Sequence, residues 1–235
     1  MPVVSDAVSR PRSDAAPLPC PDPSGILPPG VRVRASRVGD SLEGLCEAER
    51  ALVARAVPKR RHEFATGRRL ARELLAELGT TDFALLADAD RAPLWPAGII
   101  GSISHAHGLC VVAAAKRGEL AGLGVDVEDA RGLRPELWSR VLRPEEERWL
   151  RAQPGARQLA LAAVFFSAKE AVYKAQFPLT RARLGFQDVA LELDVARSLL
   201  RARTPGFARP LEGAYALRSA WVLSGVALGA GCVPA

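Results

Sequence analysis

Two carboxylates lie two residues apart in the segment GLGVDVEDARG, residues 122–132. Apolar residues alternate with small or charged ones there, and this period of two predicts a β-strand. Asp126 and Glu128 therefore share a face, where two like charges repel unless water or a cation intervenes. Oxygen ligands of this kind suit a hard ion such as Mg²⁺. The alternative is an ordinary strand with a polar outer face.

A second set of reactive residue types lies in FFSAKEAVYK. Ser167, Glu170 and Lys174 follow one another at three and four residues, which places them on one face of a predicted helix. A carboxylate and an ammonium that share a helix face could act together in catalysis. They could also form an exposed Glu–Lys pair, which stabilises a helix by only a few tenths of a kcal/mol, about 0.2–0.5.

Arginines are concentrated in PKRRHEFATGRRLAR, a segment with the apolar spacing of a helix. Arg61, Arg68 and Arg72 share one face by spacing, with Arg60 beside them. Guanidinium groups bind phosphates through paired hydrogen bonds, so this face could hold a phosphorylated ligand. A solvated helix face and a nucleic-acid patch remain the alternatives.

The segment SISHAHG combines serine, glycine and two histidines at a predicted turn between two strands. His105 and His107 alternate, which would allow zinc binding, but no thiol pair accompanies them. The turn could instead offer hydrogen bonds to a phosphate.

The elements that must position these residues follow the order helix, strands, strand, helices and strands, which predicts an α/β or α+β chain. Residues 1–28 are rich in Pro, Ser and Ala and predict a flexible leader. The remainder divides near Ala121 into an N-terminal half, 29–120, and a C-terminal half, 121–235. C-terminal strands are predicted over DVALELDV, GAYALRSAWVL and SGVALG.

Composition narrows the functional classes. The chain has 235 residues, 49% of them hydrophobic, and a formal net charge of +6. We expect no signal peptide and no membrane span. Four scattered cysteines without a CxxC pair favour a reduced, cytoplasmic setting. The excess of basic residues is compatible with a nucleic acid, an acidic protein or a phosphorylated small molecule as the binding partner. The low aromatic content, 6%, disfavours binding of single-stranded nucleic acid by base stacking.

Taken together, GSISH, GVDVE and FSAKEAVYK resemble the three signature blocks of the 4′-phosphopantetheinyl transferases. The match is to the surfactin-synthetase-activating class and, within it, to the enterobactin-synthetase component D type. PKRRHEFATGRRLAR, APLWP and FPLTRARLGFQD are similar to further segments of that type, so the resemblance covers roughly residues 45–230. It implies a monomer of two pseudo-symmetric halves, each a small antiparallel-rich sheet with packed helices, and an active site in the cleft between them.

The resemblance also implies roles for individual residues. Mg²⁺, or Mn²⁺, would be bound by Asp126, Glu128, Glu170 and the carbonyl group of Val127. Glu170 and Lys174 would be catalytic, Glu170 as the base and Lys174 as the residue that stabilises developing charge. Coenzyme A would be contacted by Asp126, Glu170 and Lys174 and also by Ser104, His105, Arg60 and Arg68.

Some positions depart from the family pattern or lack a defined role. The resemblance favours Arg60 as a phosphate contact, whereas spacing favours Arg61. Glu146 matches an acidic family position, and His107 lies outside the signature, as a loop or packing residue. The segment ADADRAP, residues 87–93, carries only Arg91 where relatives often carry lysine.

The implied reaction transfers 4′-phosphopantetheine from coenzyme A to a serine of an acidic acyl or peptidyl carrier protein and releases adenosine 3′,5′-bisphosphate. Fatty-acid, polyketide, peptide-synthetase and siderophore carriers all remain open, and neither nucleic acid nor a membrane is an expected partner. Two alternative functions remain. One is another Mg²⁺-dependent phosphoryl or nucleotidyl transferase, and the other is a basic nucleic-acid-binding module with salt-dependent binding.

Overall fold

The computed structural model describes residues 20–232. Eight β-strands and five α-helices are defined in that range. The strands are β1 Arg32–Arg37, β2 Ile99–Ala106, β3 Leu109–Lys116, β4 Leu120–Asp129, β5 Ala190–Asp194, β6 Leu199–Arg203, β7 Leu211–Arg218 and β8 Trp221–Gly229. The helices are α1 Glu47–Leu52, α2 Pro58–Glu77, α3 Trp138–Val141, α4 Pro144–Arg151 and α5 Gly155–Thr180.

The N-terminal half folds as an antiparallel three-stranded sheet in the order β1-β3-β2, and α2 packs across it. The buried face of α2 carries Leu70, Ala71, Leu74 and Leu75, which pack with Val112 of β3. These apolar residues recur at three and four positions, the spacing that aligns side chains on one side of a helix. The helix predicted from this spacing is confirmed.

A two-residue turn joins β2 to β3. His107 and Gly108 occupy it with φ angles of 49° and 80°. Paired left-handed residues are the usual hairpin geometry, because they match the right-handed twist of the strands. His107 therefore lies at the tip of the hairpin, as expected for a loop residue.

The C-terminal half is built around α5 and an antiparallel sheet in the order β4-β8-β7-β6-β5. Two glycines of β4 allow α5 to lie unusually close to the strand. A Cβ atom on Gly124 would come within 1.9 Å of the Ala171 carbonyl oxygen, and one on Gly122 within 2.4 Å of that of Ala175. A larger residue at either position would push the helix away from the strand.

The two halves share a hydrophobic core. Leu123, Val125 and Val127 project from β4 into a cluster that also contains Val111 and Ala113 of β3. The opposite face of β4, which carries its glycines and carboxylates, is turned towards α5. Strand β4 therefore lies at the junction, with the shared core on one face and α5 on the other.

The predicted fold class is confirmed: two antiparallel sheets with packed helices make up a mixed α/β structure. One prediction about the last strands is wrong. β7 ends at Arg218 and β8 continues from Trp221 through SGVALG without a break. The turn falls at Ser219, where φ is 55°, so AWVL belongs to the second strand of this hairpin.

The segment predicted as a leader is described only in part, because residues 1–19 lie outside the described range. Within residues 20–28, Ile26 is 2% exposed and belongs to the shared core. A Cβ atom on Gly225 of β8 would come within 2.3 Å of the Ile26 carbonyl oxygen. Chain packing therefore begins before residue 29. In residues 20–232, no helix is long and apolar enough to span a lipid bilayer.

Candidate active site

An ammonium, a carboxylate and a hydroxyl meet where the two halves join. Lys174 Nζ of α5 lies 2.6 Å from Asp126 Oδ1 of β4 and 3.0 Å from Ser104 Oγ of β2. The Ser104 hydroxyl donates to the same Asp126 oxygen at 2.7 Å. Asp126 is 2% exposed, whereas the Lys174 side chain is 25% exposed. The cluster is therefore anchored in the interior and open on the lysine side.

Local sequence explains why these groups meet. Period 2 in β4 places Asp126 on the same face as Gly124, and the missing Cβ of that glycine lets α5 bring Lys174 within reach. Period 2 in β2 turns Ser102 and Ser104 to the same side, towards β4. The Val125 amide donates to Ser102 Oγ at 3.0 Å, which fixes β4 against β2 through a side chain.

Glu128 and Glu170 add negative charge beside this cluster. Burial raises the pKa of Glu128 well above its ordinary value, and the neighbouring Asp126 and Glu170 charges raise it further. Burial also raises the pKa of Glu170; Lys174 opposes that shift and Asp126 reinforces it. Burial disfavours the charge of Lys174, yet Asp126 and Glu170 raise its pKa overall. The lysine therefore stays charged among carboxylates that repel one another.

The donor chemistry of these carboxylates fits a hard cation. Asp126 Oδ2 is buried and has no hydrogen-bond partner, and its charge repels those of Glu128 and Glu170. Within residues 20–232, however, no three His, Cys, Asp or Glu side chains are grouped tightly enough to hold an ion as they stand. The Val127 side chain is buried in the shared core, so only its backbone could contribute. The metal set remains a prediction.

A second polar group is formed by His105 and residues of α2. Arg60 Nη1 contacts His105 Nε2, and Glu63 Oε2 lies 3.3 Å from His105 Nδ1. Burial lowers the pKa of His105 to about 3, and the charges of Arg60, Lys174 and Lys59 contribute. The imidazole is therefore neutral at neutral pH.

Arg68 is largely buried two turns further along α2. Its guanidinium carbon lies 4.1 Å from the centroid of the Phe64 ring, a cation–π contact. Burial lowers its pKa to about 10; Glu49 opposes that shift, whereas Arg60 and Arg72 add to it. Arg68 Nε is buried and has no hydrogen-bond partner. A charged group with an unpaired donor is a suitable anion contact.

The other two arginines of the predicted basic face serve the fold. Arg61 Nε donates to the Ala56 carbonyl at 2.8 Å, and Arg72 pairs with the buried Glu49. Spacing favoured Arg61 as the phosphate contact, and the structure instead brings Arg60 to His105. Helical spacing gives the face of a residue but not the partner that its side chain finds.

The ADADRAP loop is tied to the C-terminal half by ion pairs. Asp88 pairs with Arg181, and Asp90 pairs with Arg183, both just beyond α5. Arg91, the basic residue of this segment, is exposed and has a φ of 66°. The acidic residues of this loop therefore connect the two halves.

Glu146 lies in a different buried network. It pairs with Lys169 at 2.6 Å, and its other oxygen accepts from the Leu191 amide at 2.7 Å. Lys169 also donates to the carbonyls of Val141 and Phe186. These bonds connect α4, α5 and β5, so the contacts of Glu146 hold elements of the fold together.

Comparison with known proteins identifies the family. Residues 48–115 match the 4′-phosphopantetheinyl transferase N-terminal domain, and residues 122–218 match the 4′-phosphopantetheinyl transferase superfamily. The chain is 37% identical over 200 residues to the 4′-phosphopantetheinyl transferase Svp of Streptomyces mobaraensis, with 81% of each chain covered. The chain belongs to this superfamily.

Other relatives agree with this assignment. The 4′-phosphopantetheinyl transferase Npt of Nocardia iowensis is 37% identical over 148 residues, which cover 63% of this chain and 66% of Npt. Enterobactin synthase component D of Salmonella typhi is 35% identical over 119 residues, 50% of this chain and 48% of the relative. The predicted family is confirmed, and the chain is a 4′-phosphopantetheinyl transferase.

The two matched regions of this 4′-phosphopantetheinyl transferase separate between β3 and β4, and the polar cluster joins Ser104 of the first region to Asp126 and Lys174 of the second. The structure brings Ser104, Asp126 and Lys174 into direct contact and joins Arg60 to His105. Sequence reasoning missed Ser102 and Glu63. Alternation with Ser104 could have indicated Ser102, and the three-residue spacing from Arg60 could have indicated Glu63.

Proposed function

We propose that this 4′-phosphopantetheinyl transferase moves 4′-phosphopantetheine from coenzyme A to a serine hydroxyl of an apo acyl or peptidyl carrier protein. The observation that carries the proposal is the contact of Ser104, Asp126 and Lys174 at the junction of the two matched regions. In the transfer, the serine oxygen forms a bond to the β-phosphorus of coenzyme A. The bond from that phosphorus to the bridging oxygen breaks, and adenosine 3′,5′-bisphosphate leaves.

The nucleotide end of coenzyme A is assigned to the N-terminal half. His105 and Arg60 form one polar pair, and Arg68 lies deeper with its unpaired Nε. A phosphate monoester offers several oxygen acceptors, so each guanidinium can bind one, and the His105 ring can bind another when its Nε2 carries a proton. Ser104 joins this region to the catalytic cluster, because its hydroxyl already bridges Lys174 and Asp126.

Magnesium, or manganese in its place, would be held by Asp126, Glu128 and Glu170, with the Val127 carbonyl as a backbone ligand. Bound there, the ion would neutralise the pyrophosphate of coenzyme A and hold it for in-line attack. The unpartnered Asp126 Oδ2 supports this assignment, because a buried carboxylate oxygen without a partner is costly.

Glu170 and Lys174 are assigned to the chemistry. Glu170 takes the proton of the attacking serine hydroxyl, and its raised pKa suits a group that must accept a proton near neutral pH. Lys174 keeps its charge because Asp126 and Glu170 raise its pKa, and its ammonium stabilises charge that develops on the phosphate oxygens.

The experiment is incubation of the protein with coenzyme A, Mg²⁺ and a panel of apo-carriers. The panel should include siderophore carriers, because several relatives are named enterobactin synthase component D. We expect a mass gain of one phosphopantetheine on at least one carrier, matched by release of adenosine 3′,5′-bisphosphate. Asp126→Ala should abolish the gain, whereas Glu192→Gln, on the exposed side of β5, should not.

One result would favour the rival transferase. If no carrier gains mass and coenzyme A does not raise the melting temperature, while another nucleotide does, the donor assigned here is wrong.

A further inference from the structure

Glu63 is a buried carboxylate that lies beside His105, a proposed ligand-binding residue. Its side chain is 8% exposed and projects from α2. Glu63 Oε2 lies 3.3 Å from His105 Nδ1 and 3.6 Å from Arg60 Nη1. Lys59 Nζ lies 3.9 Å from its other oxygen. The carboxylate thus has three nitrogen groups within 4 Å, two of them cationic.

These contacts determine which nitrogen of His105 carries the proton. The Arg60 guanidinium can only donate hydrogen bonds, so Nε2, which it contacts, must be the acceptor. The proton of the neutral ring then lies on Nδ1, the nitrogen that is 3.3 Å from a Glu63 carboxylate oxygen. Both neighbours favour the same tautomer: Arg60 through its contact with Nε2, and Glu63 through its negative charge beside Nδ1.

This tautomer conflicts with phosphate binding. A neutral ring with its proton on Nδ1 presents a lone pair at Nε2, and a lone pair repels a phosphate oxygen. The other neutral tautomer would present a lone pair to the Glu63 carboxylate instead. Only the imidazolium, with a proton on each nitrogen, can donate to the phosphate and to Glu63 at once.

We infer that Glu63 fixes the tautomer of His105, so that the 3′-phosphate of coenzyme A, its terminal phosphate, can bind Nε2 only when His105 takes up a proton. The inference rests on the proposed function, since it takes coenzyme A as the ligand. Arg60 turns from the ring to the phosphate as the ligand enters. Glu63 then acts as a positioning residue, because it contacts His105 and not the phosphate.

The cationic groups around His105 disfavour its protonation in the free protein. Lys59 and Arg60 of α2 and Lys174 of α5 oppose the imidazolium in the free protein, and burial has the largest effect, lowering the pKa to about 3. Cys110, opposite His105 in β3, stays a neutral thiol, because burial raises its pKa to about 12. A phosphate that binds beside Nε2 adds negative charge there and so favours the imidazolium.

Calorimetry tests the inference directly. Coenzyme A is titrated into the full chain in buffers of different ionisation enthalpy, above about pH 7, where phosphate monoesters have lost their second proton. The dependence of the measured heat on buffer gives the protons taken up. We expect the protein to take up about one proton for each coenzyme A bound. The affinity should then fall about tenfold for each unit by which the pH is raised. 3′-Dephospho-coenzyme A, which lacks the terminal phosphate, should bind without this uptake.

Two variants separate the positioning role from simple damage. In Glu63→Gln the amide can donate to Nδ1, so the neutral ring can carry its proton on Nε2 and bind phosphate. We expect proton uptake to fall towards zero and the pH dependence to flatten, even where affinity is retained. Glu77→Gln, on the same helix, is the matched control and should behave as the parent. His105→Gln should abolish the uptake if Glu63→Gln does not fold.

Nitrogen NMR of the histidines gives an independent reading, since the chain has only three. The free protein should show His105 as the neutral Nδ1–H form, and the coenzyme A complex should show the imidazolium. Equal proton uptake for coenzyme A and the 3′-dephospho form, or unchanged uptake in Glu63→Gln, would overturn the inference and leave the proposed function intact. Failure of the chain to bind coenzyme A at all would overturn both.

Discussion

Among single residues, Glu170 carries the sharpest chemical expectation. It lies one helical turn before Lys174, and its pKa is raised by burial and by Asp126. Glu170→Gln keeps the shape and removes the proton acceptor. A positioned base contributes about 10²–10⁴-fold to rate, so kcat should fall by at least about 100-fold. The measurement is single-turnover transfer to an apo-carrier that the parent modifies, with Glu192→Gln as the surface control.

The stability of Glu170→Gln provides the counterpart to that measurement. Burial and the Asp126 charge disfavour the parent carboxylate and outweigh the opposing effect of Lys174, so the neutral amide should not lower the melting temperature appreciably. A transfer rate within about threefold of the parent would contradict the assignment of Glu170 as the base, since it falls far short of the expected loss.

Glu128 makes a prediction about pH. Its folded-state pKa is raised well above the ordinary value of 4.5, first by burial and then by Asp126. The folded state therefore holds the proton to higher pH than the unfolded chain, and stability falls as pH rises above about 4.5. Glu128→Gln should raise the free energy of unfolding at neutral pH and lose that advantage at or below this pH. Urea unfolding in the presence of a chelator, at neutral and acidic pH, measures it.

The result that would contradict this prediction is a lower stability of Glu128→Gln at neutral pH. That outcome would mean that the Glu128 carboxylate has favourable partners in the folded chain, and that the repulsion from Asp126 does not dominate.

Some of the site could be predicted from sequence because it depends on short-range periodicity. The shared face of Asp126 and Glu128 follows from the two-residue repeat of a strand, and that of Glu170 and Lys174 from the helical repeat. The contact of Lys174 with Asp126 could not, because it joins residues 48 apart in sequence. Spacing likewise could not show that Arg61 turns back to the carbonyl of Ala56.

Among the elements, the contact between α5 and β4 sets the position of both catalytic candidates. Gly124 allows it, and a methyl group there would lie 1.9 Å from a backbone oxygen of α5, so the helix itself would have to move. Overpacking typically costs about 1–3 kcal/mol, and a backbone shift places Gly124→Ala at the upper end of that range. Because α5 also carries Lys174, kcat should fall in the molecules that remain folded.

The control for this prediction is Gly118→Ala, where an added Cβ atom would meet nothing within 4 Å. Thermal unfolding and single-turnover transfer are compared for the two variants. Parent-like values for Gly124→Ala in both measurements would show that the close packing of α5 on β4 is not needed to place the cluster.

The alternation of glycine with carboxylate in β4 illustrates a limit of pattern reading. Residues 120–129 predict the strand correctly, and the glycines look like weak points in it. The glycines are needed because helix α5, some 50 residues later in the chain, packs closely against this strand. The local sequence pattern contains no information about that helix. The predicted start of β8 is wrong because the turn before it lies at Ser219. This residue has a positive φ of 55°, a conformation that its residue type does not predict.

In the whole molecule, the halves are joined by a shared core and by a few polar contacts. Leu123, Val125 and Val127 bury one face of β4 with residues of β3, and the loop aspartates pair with Arg181 and Arg183. Both arginines are exposed, and exposed ion pairs contribute about 0–1 kcal/mol, so the buried contacts should dominate the coupling. We therefore expect the described halves to unfold together.

Ser102 tests this coupling, because its hydroxyl accepts from the Val125 amide across the junction in a buried position. Ser102→Ala leaves that amide without its acceptor, and an unsatisfied buried donor costs about 1–3 kcal/mol. If the halves are coupled, hydrogen exchange of β3 and of β8 should accelerate by the same factor, although neither strand contains the substitution. Ser36→Ala is the control: its hydroxyl donates to the Arg37 carbonyl and accepts from the exposed Arg69, both within the N-terminal half, so both exchange rates should change far less. Acceleration confined to β3 would show that the C-terminal half keeps its stability when the junction is weakened. The cleft would then have to be treated as an interface between two independently stable units.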